Sequence, residues 1–210
     1  MFYDGNLNSF TAEMPKLENG YYMFYYCNNL NSFNVDTLEN LKTGYYMFCN
    51  TFSLNEFSYD LPNLTNGYCM FNRSSKRPNN LVIKDGLKLD SLTNGNYMFY
   101  NTGLTHFSSS LPSLTNGYDM FYGCTLDRES VEFIVNDLKT KNNLKTSGTL
   151  TIGTSKEYQS DQSFREMLGE TAIERDNQPG EKYPNDYPQY MKTSIKSLGG
   201  GTWKITTYWY

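Results

Sequence analysis

Hydrophobic positions recur along the first 126 residues with a period of twenty-odd residues. The dipeptide Met-Phe marks this period, because it occurs six times at intervals of 22, 24, 23, 28 and 22 residues: Met1-Phe2, Met23-Phe24, Met47-Phe48, Met70-Phe71, Met98-Phe99 and Met120-Phe121. Self-similarity at such a period indicates one small unit repeated many times. The pattern therefore predicts a repeat array and argues against most globular enzyme folds.

Other residues keep a constant spacing within each unit. A glycine stands three residues before five of the six methionines, at Gly20, Gly44, Gly67, Gly95 and Gly117. The Asn-Gly pairs predict a corner, since glycine accepts a positive φ without steric cost. The segment Leu-x-Ser-Phe predicts a short strand that ends at a proline. The Tyr-Tyr-Met-Phe-Tyr run is about one to two helical turns long, so packing must hold it in place.

The fourth repeat departs from this pattern. Residues 72–80 are inserted, and Leu81-Val82-Ile83 stands where Leu-x-x-Phe is expected. We therefore expect a loop that bulges from an otherwise regular array.

Segments 44–48 and 114–124 resemble the BspA-type leucine-rich repeats. Over about residues 1–126, glycine, phenylalanine, leucine and proline keep the same mutual offsets through several repeats, as in that family's pattern, with methionine in place of alanine. The resemblance implies an α/β solenoid with parallel strands on one face. Such repeats occur in bacterial surface adhesins, and similar ones occur in gut-bacterial prophage and tail-associated proteins. The family has no catalytic residues to carry over.

We therefore predict a leucine-rich-repeat-like solenoid of about six coils over residues 1–126, closed by a cap over residues 127–210. The cap is predicted to be α-β-α-β. Val131, Ile134, Val135 and Leu138 recur at helical spacing after the N-cap Asp127, and residues 149–152 predict a strand. A second helix is expected from Ser160 or Asp161 through Ile173, and a short helix through Met191 and Ile195. Residues 203–209 predict a closing strand.

Composition and charge argue against several classes of partner and location. The net charge of −4, the pI near 5.1 and the scarcity of basic runs argue against nucleic acid as a partner. The mean hydropathy is −0.63, and there is no apolar run near 18 residues, so no membrane span is expected. The opening Met-Phe-Tyr-Asp-Gly does not resemble a signal peptide.

Catalytic, metal and cofactor sites are not predicted. His106 has Ser108, Ser109 and Ser110 nearby, but the repeat places these residues on the solvent side of a strand. A nucleophile needs a base and an orienting group within fixed reach, and the pattern isolates no such trio. The chain has four cysteines without a Cys-x-x-Cys motif and a single histidine, so a zinc site is not expected. A disulfide framework is not expected either, because Cys27 and Cys124 share a repeat position but would lie four coils apart, roughly 19 Å, beyond the roughly 7 Å limit for bridged Cα atoms.

Two surfaces compete as candidate binding sites for a protein or glycan ligand. The first, the strand face, consists of polar residues two and four positions after the repeat leucines: Ser9, Thr11, Ser32, Asn34, Glu56, Ser58, His106 and Ser108. The second is a tyrosine stripe, in which Tyr21 and Tyr25 would share one side of a helical turn: Tyr21, Tyr25, Tyr45, Tyr68, Tyr100, Tyr118 and Tyr122. The alternative for many of these tyrosines is half-burial between coils.

The first unit suggests an assembly edge, since the sequence opens in the middle of a repeat. We expect Phe2, Phe10 and Met14 to contact another chain, either a second copy or a virion or surface component. The leading functional hypothesis is a non-enzymatic recognition or attachment module on a bacterial surface or phage virion. The alternative is a structural virion component, a fibre or decoration protein, whose surfaces serve particle assembly.

Overall fold

The computed structural model describes residues 2, 5–74, 80–140, 148–168, 190–198 and 201–210. Short strands occupy the repeat region: β1 (Ser9–Ala12), β2 (Ser32–Val35), β3 (Glu56–Phe57), β4 (Val82–Ile83) and β5 (Asn116–Gly117). The remainder contains α1 (Arg128–Thr140), β6 (Gly148–Thr154), a 3-10 helix (Lys156–Ser160), α2 (Gln162–Met167), β7 (Tyr190–Leu198) and β8 (Gly201–Trp209).

The predicted six-coil α/β solenoid with an α-β-α-β cap is wrong. In the part of the chain described, the strands of the repeat region are two to four residues long. They are divided between a β1-β2 sheet, a β3-β4 sheet and a four-stranded sheet ordered β5-β6-β8-β7. Both α-helices of the described ranges follow residue 127. The repeats therefore consist mainly of turns, because left-handed residues interrupt regular strand or helix geometry.

The Tyr-Tyr-Met-Phe-Tyr runs show this interruption directly. Tyr22 and Tyr26 have φ values of 52° and 60°, and Tyr46 and Asn50 have 55° and 58°. Left-handed residues at this spacing break a right-handed helix. The backbone instead forms hydrogen bonds with the next repeat. For example, the Phe24 N–H donates to Met47 O at 2.8 Å. Isolated parallel bridges also join successive repeats through the residue that precedes each corner glycine: Asn19, Thr43, Asn66, Asn94 and Asn116.

The prediction of positive φ at the corner glycines is also wrong. Among the glycines that the structure describes, those with positive φ are Gly86, Gly103 and Gly123. At a corner glycine the requirement is space, since a Cβ on Gly44 would lie 2.5 Å from Sδ of Met70 in the following repeat.

Rows of aromatic rings form the core of the repeat region. Phe24, Phe48, Phe71 and Phe99 are buried, and each ring stacks on the next at centroid distances of 5.4 to 5.6 Å. Phe121 continues the row at 5.6 Å from Phe99. This core runs on into α1 and the C-terminal sheet through buried aliphatic and aromatic side chains. The apolar period of the sequence therefore sets which side chains lie inside.

The side chain of Tyr59 occupies the place where backbone pairing between β2 and the following repeat was expected. Its hydroxyl donates to Phe33 O at 3.0 Å and accepts the Val35 N–H at 3.2 Å. These two groups belong to β2, so a phenol replaces backbone pairing between β2 and the following repeat. This is one physical reason why β2 and β3 belong to different sheets.

The insertion in the fourth repeat falls partly on residues 75–79, which lie outside the described residues. Beyond it, the chain resumes the expected packing. Leu81 and Ile83 are buried, and β4 pairs in parallel with β3 through Glu56 with Val82 and Phe57 with Ile83.

The C-terminal part agrees with the sequence at several elements. Helix α1 follows Asp127, whose Oδ1 accepts the Ser130 N–H at 2.8 Å, and helix α2 follows the N-cap Asp161. Strands β6 and β8 are confirmed and pair in parallel. The short helix predicted through Met191 and Ile195 is wrong, because β7 runs antiparallel to β8 there. The predicted continuation of the second helix to Ile173 lies outside the described residues.

Candidate binding surfaces

Stacked tyrosines form a surface row across three successive repeats. Tyr21 stacks on Tyr45 with centroids 4.9 Å apart and planes inclined by 6°, and Tyr45 stacks on Tyr68 at 5.0 Å and 13°. Tyr21 is 55% exposed, whereas Tyr45 and Tyr68 are half-buried. We call these three residues the outer tyrosine row. Nearly parallel rings at this spacing form a stacked arrangement that aromatic pairs favour.

Local hydrogen bonds set the backbone at the start of this row. Asn19 Oδ1 accepts the Tyr21 N–H at 2.9 Å, and Asn66 Oδ1 accepts the Tyr68 N–H at 3.1 Å. Such bonds from a side chain to the backbone two residues on stabilise a turn without a helix. Asn19 and Asn66 therefore have a structural role in orienting Tyr21 and Tyr68.

A second row was missed by sequence reasoning. Tyr22 stacks on Tyr46 at 4.9 Å with planes inclined by 2°, and Tyr22 also contacts Tyr25 edge-on at 5.0 Å. Burial raises the pKa of Tyr22 and that of Tyr46, where a hydrogen bond with Cys69 adds to the effect. The sequence signal was available, since both residues stand two positions after a corner glycine. The predicted helical pairing of Tyr21 with Tyr25 is wrong, because these residues lie in turns.

The other stripe tyrosines group near the C-terminal sheet. Tyr100 stacks on Tyr122 at 4.7 Å, and Tyr122 meets Tyr208 edge-on at 4.8 Å. Tyr118 is 52% exposed and meets Tyr97 edge-on at 5.4 Å. Together the tyrosine contacts extend from Tyr21 to strand β8. We call the tyrosines joined by these contacts the tyrosine surface: Tyr21, Tyr22, Tyr25, Tyr45, Tyr46, Tyr68, Tyr97, Tyr100, Tyr118, Tyr122 and Tyr208.

A carboxylate interrupts the tyrosine surface at Asp119. This residue is half-buried, and its Oδ1 accepts a hydrogen bond from the Thr151 hydroxyl at 3.4 Å. Burial raises the pKa of Asp119, and the Thr151 bond opposes that effect. Burial and then the charge of Asp119 raise the pKa of Tyr97 to about 12. The carboxylate therefore lies within electrostatic range of the rings.

The predicted strand face is divided into three parts. β1 and β2 bring Ser9 opposite Ser32 and Thr11 opposite Asn34. Glu56 lies in the separate sheet opposite Val82, and Ser58 donates to Glu56 Oε1 at 3.0 Å. A continuous polar ladder is thus not formed, because Tyr59 and the apolar Val82 interrupt it.

His106 and Ser108, the last pair of that face, lie in a segment without strand structure. His106 Nδ1 lies 3.0 Å from Asp127 Oδ2, and Nε2 lies 3.6 Å from Asp85 Oδ1. The hydrogen bond with Asp127 raises the pKa of His106, and the charges of Asp127, Asp85 and Glu129 add to this effect against burial. Ser108 Oγ accepts the Gly86 N–H at 3.2 Å.

Ser130 completes an arrangement that has the residue types of a catalytic triad. Its Oγ lies 3.4 Å from His106 Nδ1, donates to Asp127 Oδ1 and accepts the Phe107 N–H at 2.8 Å. Ser130 is fully buried. Asp127 caps α1 by accepting the Ser130 N–H, and the Ser130 hydroxyl anchors Phe107 of the preceding segment. We therefore interpret the cluster as a structural link between the repeats and the helix.

Of the three residues of the predicted assembly edge, Phe2 and Phe10 are in contact. Phe2 is 38% exposed, contacts Phe10 at 5.2 Å and stacks on Phe24 at 5.4 Å. Phe10 and Met14 are half-buried, and the Met14 N–H donates to Asp36 Oδ1.

Within the described residues, no group of three or more His, Cys, Asp or Glu side chains is placed to hold a metal ion. None of the four cysteines, all of which are described and buried, is in a disulfide. No described helix is long and apolar enough to cross a membrane. Searches against protein-family models, curated proteins and solved structures each found no match.

Proposed function

We propose that this chain is a non-enzymatic recognition or attachment module that binds a protein or glycan ligand through its tyrosine surface. The observation that carries the proposal is the outer tyrosine row, in which Tyr21, Tyr45 and Tyr68 stack at 4.9 and 5.0 Å on the protein surface. Tyrosine offers a large contact area at a small cost in conformational entropy. Rings already stacked against each other lose little further freedom when a ligand binds.

The division of the strand face supports this choice between the two candidate surfaces. Tyr59 and Val82 separate its polar residues, and Val82 is 60% exposed. The tyrosine contacts, in contrast, continue from one repeat to the next. Display on a bacterial surface or a phage virion is part of the proposal and is supported by the resemblance of segments 44–48 and 114–124 to BspA-type repeats.

The test compares two surface variants of the full chain on arrays of bacterial glycans and on immobilised bacterial surface proteins. The first variant carries Tyr21→Ser, Tyr45→Ser and Tyr68→Ser, and the matched control carries Thr11→Ala, Asn34→Ala and Glu56→Gln. We expect the first to lose binding and the second to retain it, with unchanged circular dichroism in both. Retention of binding by the tyrosine variant and loss by the control would reverse the choice of surface.

A structural role in a virion, as a fibre or decoration protein, is the second candidate. It is favoured by the exposure of Phe2, whose ring contacts that of Phe10. Mass spectrometry of purified phage particles and of bacterial surface fractions distinguishes the settings. Light scattering of Phe2→Ser against wild type tests the edge, because an assembling wild type should be larger than the variant. Monomers of both at high concentration would contradict the assembly role.

A further inference from the structure

The position two residues after each corner glycine defines the inner tyrosine row. Its backbone is the same in every repeat, with φ between 51° and 57°, and its occupants are Tyr22, Tyr46, Cys69, Tyr97 and Asp119. A carboxylate thus takes the place of a ring at the end of the row. Asparagine and aspartate tolerate this left-handed backbone better than most residues.

The rings around Asp119 are arranged differently from those of the outer row. Tyr97 meets Tyr68 at 66° and Tyr118 at 73°, whereas the outer row rings are inclined by 13° or less. Tyr208 meets Tyr122 at 77°. Steeply inclined rings form walls rather than a flat platform. The C–H face of a sugar ring suits the outer row better than this end of the surface.

The charge of Asp119 is not balanced by a neighbouring cation in the described part of the chain. The ion pairs found there join other residues, and the polar contact of the Asp119 carboxylate is the Thr151 hydroxyl. Burial and then the charge of Asp119 raise the pKa of Tyr208 to about 12, as at Tyr97. A half-buried carboxylate beside aromatic rings favours an arriving positive charge.

We propose that Asp119, with the rings of Tyr97, Tyr118 and Tyr208, forms a subsite for a cationic side chain, the ammonium of lysine or the guanidinium of arginine, on a protein ligand. The inference rests on the proposed binding function of the tyrosine surface and adds the ligand class. The carboxylate supplies charge, and the ring faces supply cation–π attraction, which strengthens when water is displaced. A neutral ligand would leave the carboxylate uncompensated.

The test uses small probes and the full chain. Nα-acetyl-lysine amide is titrated against the protein by NMR, and Nα-acetyl-norleucine amide is the neutral probe of similar shape. Wild type is compared with Asp119→Asn, which removes the charge while tolerating the left-handed backbone. The matched control is Asp90→Asn, since Asp90 is exposed and does not belong to the tyrosine surface.

We expect the lysine probe to bind wild type more tightly than the norleucine probe. Asp119→Asn should weaken the lysine probe about two- to tenfold and leave the norleucine probe unchanged, as expected for one partly exposed charge with ring contacts. Asp90→Asn should change neither. Equal binding of the two probes, or an unchanged lysine affinity in Asp119→Asn, overturns the subsite.

A third probe, methyl glucoside, separates this inference from the proposed function. If the glucoside binds and loses affinity in Asp119→Asn while the lysine probe does not bind, the subsite is a sugar site and the cationic assignment is wrong. The proposed function would survive that result, because it is tested independently by the Tyr21, Tyr45 and Tyr68 variant on natural ligands.

Discussion

Gly67 and Met98 are in direct contact across adjacent repeats, and a Cβ added to Gly67 would lie 2.8 Å from Sδ of Met98. Met98 is fully buried, so its thioether has little room to move. The glycine is therefore required by packing and not by backbone conformation. This contact explains why glycine and methionine recur together in the sequence.

Gly67→Asn should destabilise the protein by about 1 to 3 kcal/mol, the usual range for overpacking a core. Asparagine tolerates a left-handed backbone, so it would be a mild substitution if φ were the constraint. Gly86→Asn is the matched control, because Gly86 has a φ of 62° and nothing within 4 Å of an added Cβ. Urea unfolding measures both. A larger loss at Gly86 than at Gly67 would contradict the packing argument.

Phe99→Ala should cost about 3 to 5 kcal/mol, as expected for removing a buried aromatic side chain. Phe99 is fully buried between Phe71 and Phe121, with both ring centroids 5.6 Å away. Phe2→Ala should cost far less, because Phe2 is 38% exposed. Denaturant midpoints give the comparison, and equal losses would mean that the phenylalanine row is not the core.

Tyr59→Phe should lower stability by about 1 to 2 kcal/mol, because it removes one hydroxyl and leaves the Phe33 carbonyl and the Val35 N–H without that partner. Tyr21→Phe is the control, since the Tyr21 ring is mostly exposed and the expected change is within about 0.5 kcal/mol. Hydrogen exchange of the Val35 amide should also accelerate in Tyr59→Phe. An unchanged exchange rate would show that the phenol does not hold β2.

His106 should make stability depend on pH near neutrality. The hydrogen bond with Asp127, aided by the charges of Asp127, Asp85 and Glu129, raises the folded-state pKa of His106 above its ordinary value. The folded protein therefore binds the proton more tightly, and the stabilisation is fully present below the ordinary histidine pKa of about 6.5. It is lost as the pH rises through the raised folded-state value.

Urea unfolding from about pH 5.5 to 8.5 covers the range below and above the ordinary histidine pKa of about 6.5. His106 is the single histidine of the chain, so His106→Gln should flatten the slope of stability against pH in this range. A variant that keeps the wild-type slope would show that the His106 pair does not contribute. Asp36→Asn, at an exposed carboxylate in another repeat, is a suitable control and should keep the slope.

The sequence by itself determined which side chains lie inside. The positions of Met47 and Phe48 recur at intervals of 22 to 28 residues. Burial of apolar surface follows that recurrence whatever the backbone conformation. It also determined α1, because the helical spacing of Val131 and Leu138 and the Asp127 cap are local signals. Of the candidate site, the outer tyrosine row could be read from the residues after the glycines.

The tertiary structure alone decided the features that depend on distant partners. Residues 190–198 form a strand because β8 supplies an antiparallel ladder, although their local pattern predicts a helix. The phenol of Tyr59 separates β2 from β3 through bonds to residues 24 and 26 positions away. The rings around Asp119 come from three parts of the chain. No local pattern specifies such contacts, since their free energy arises only when remote segments pack together.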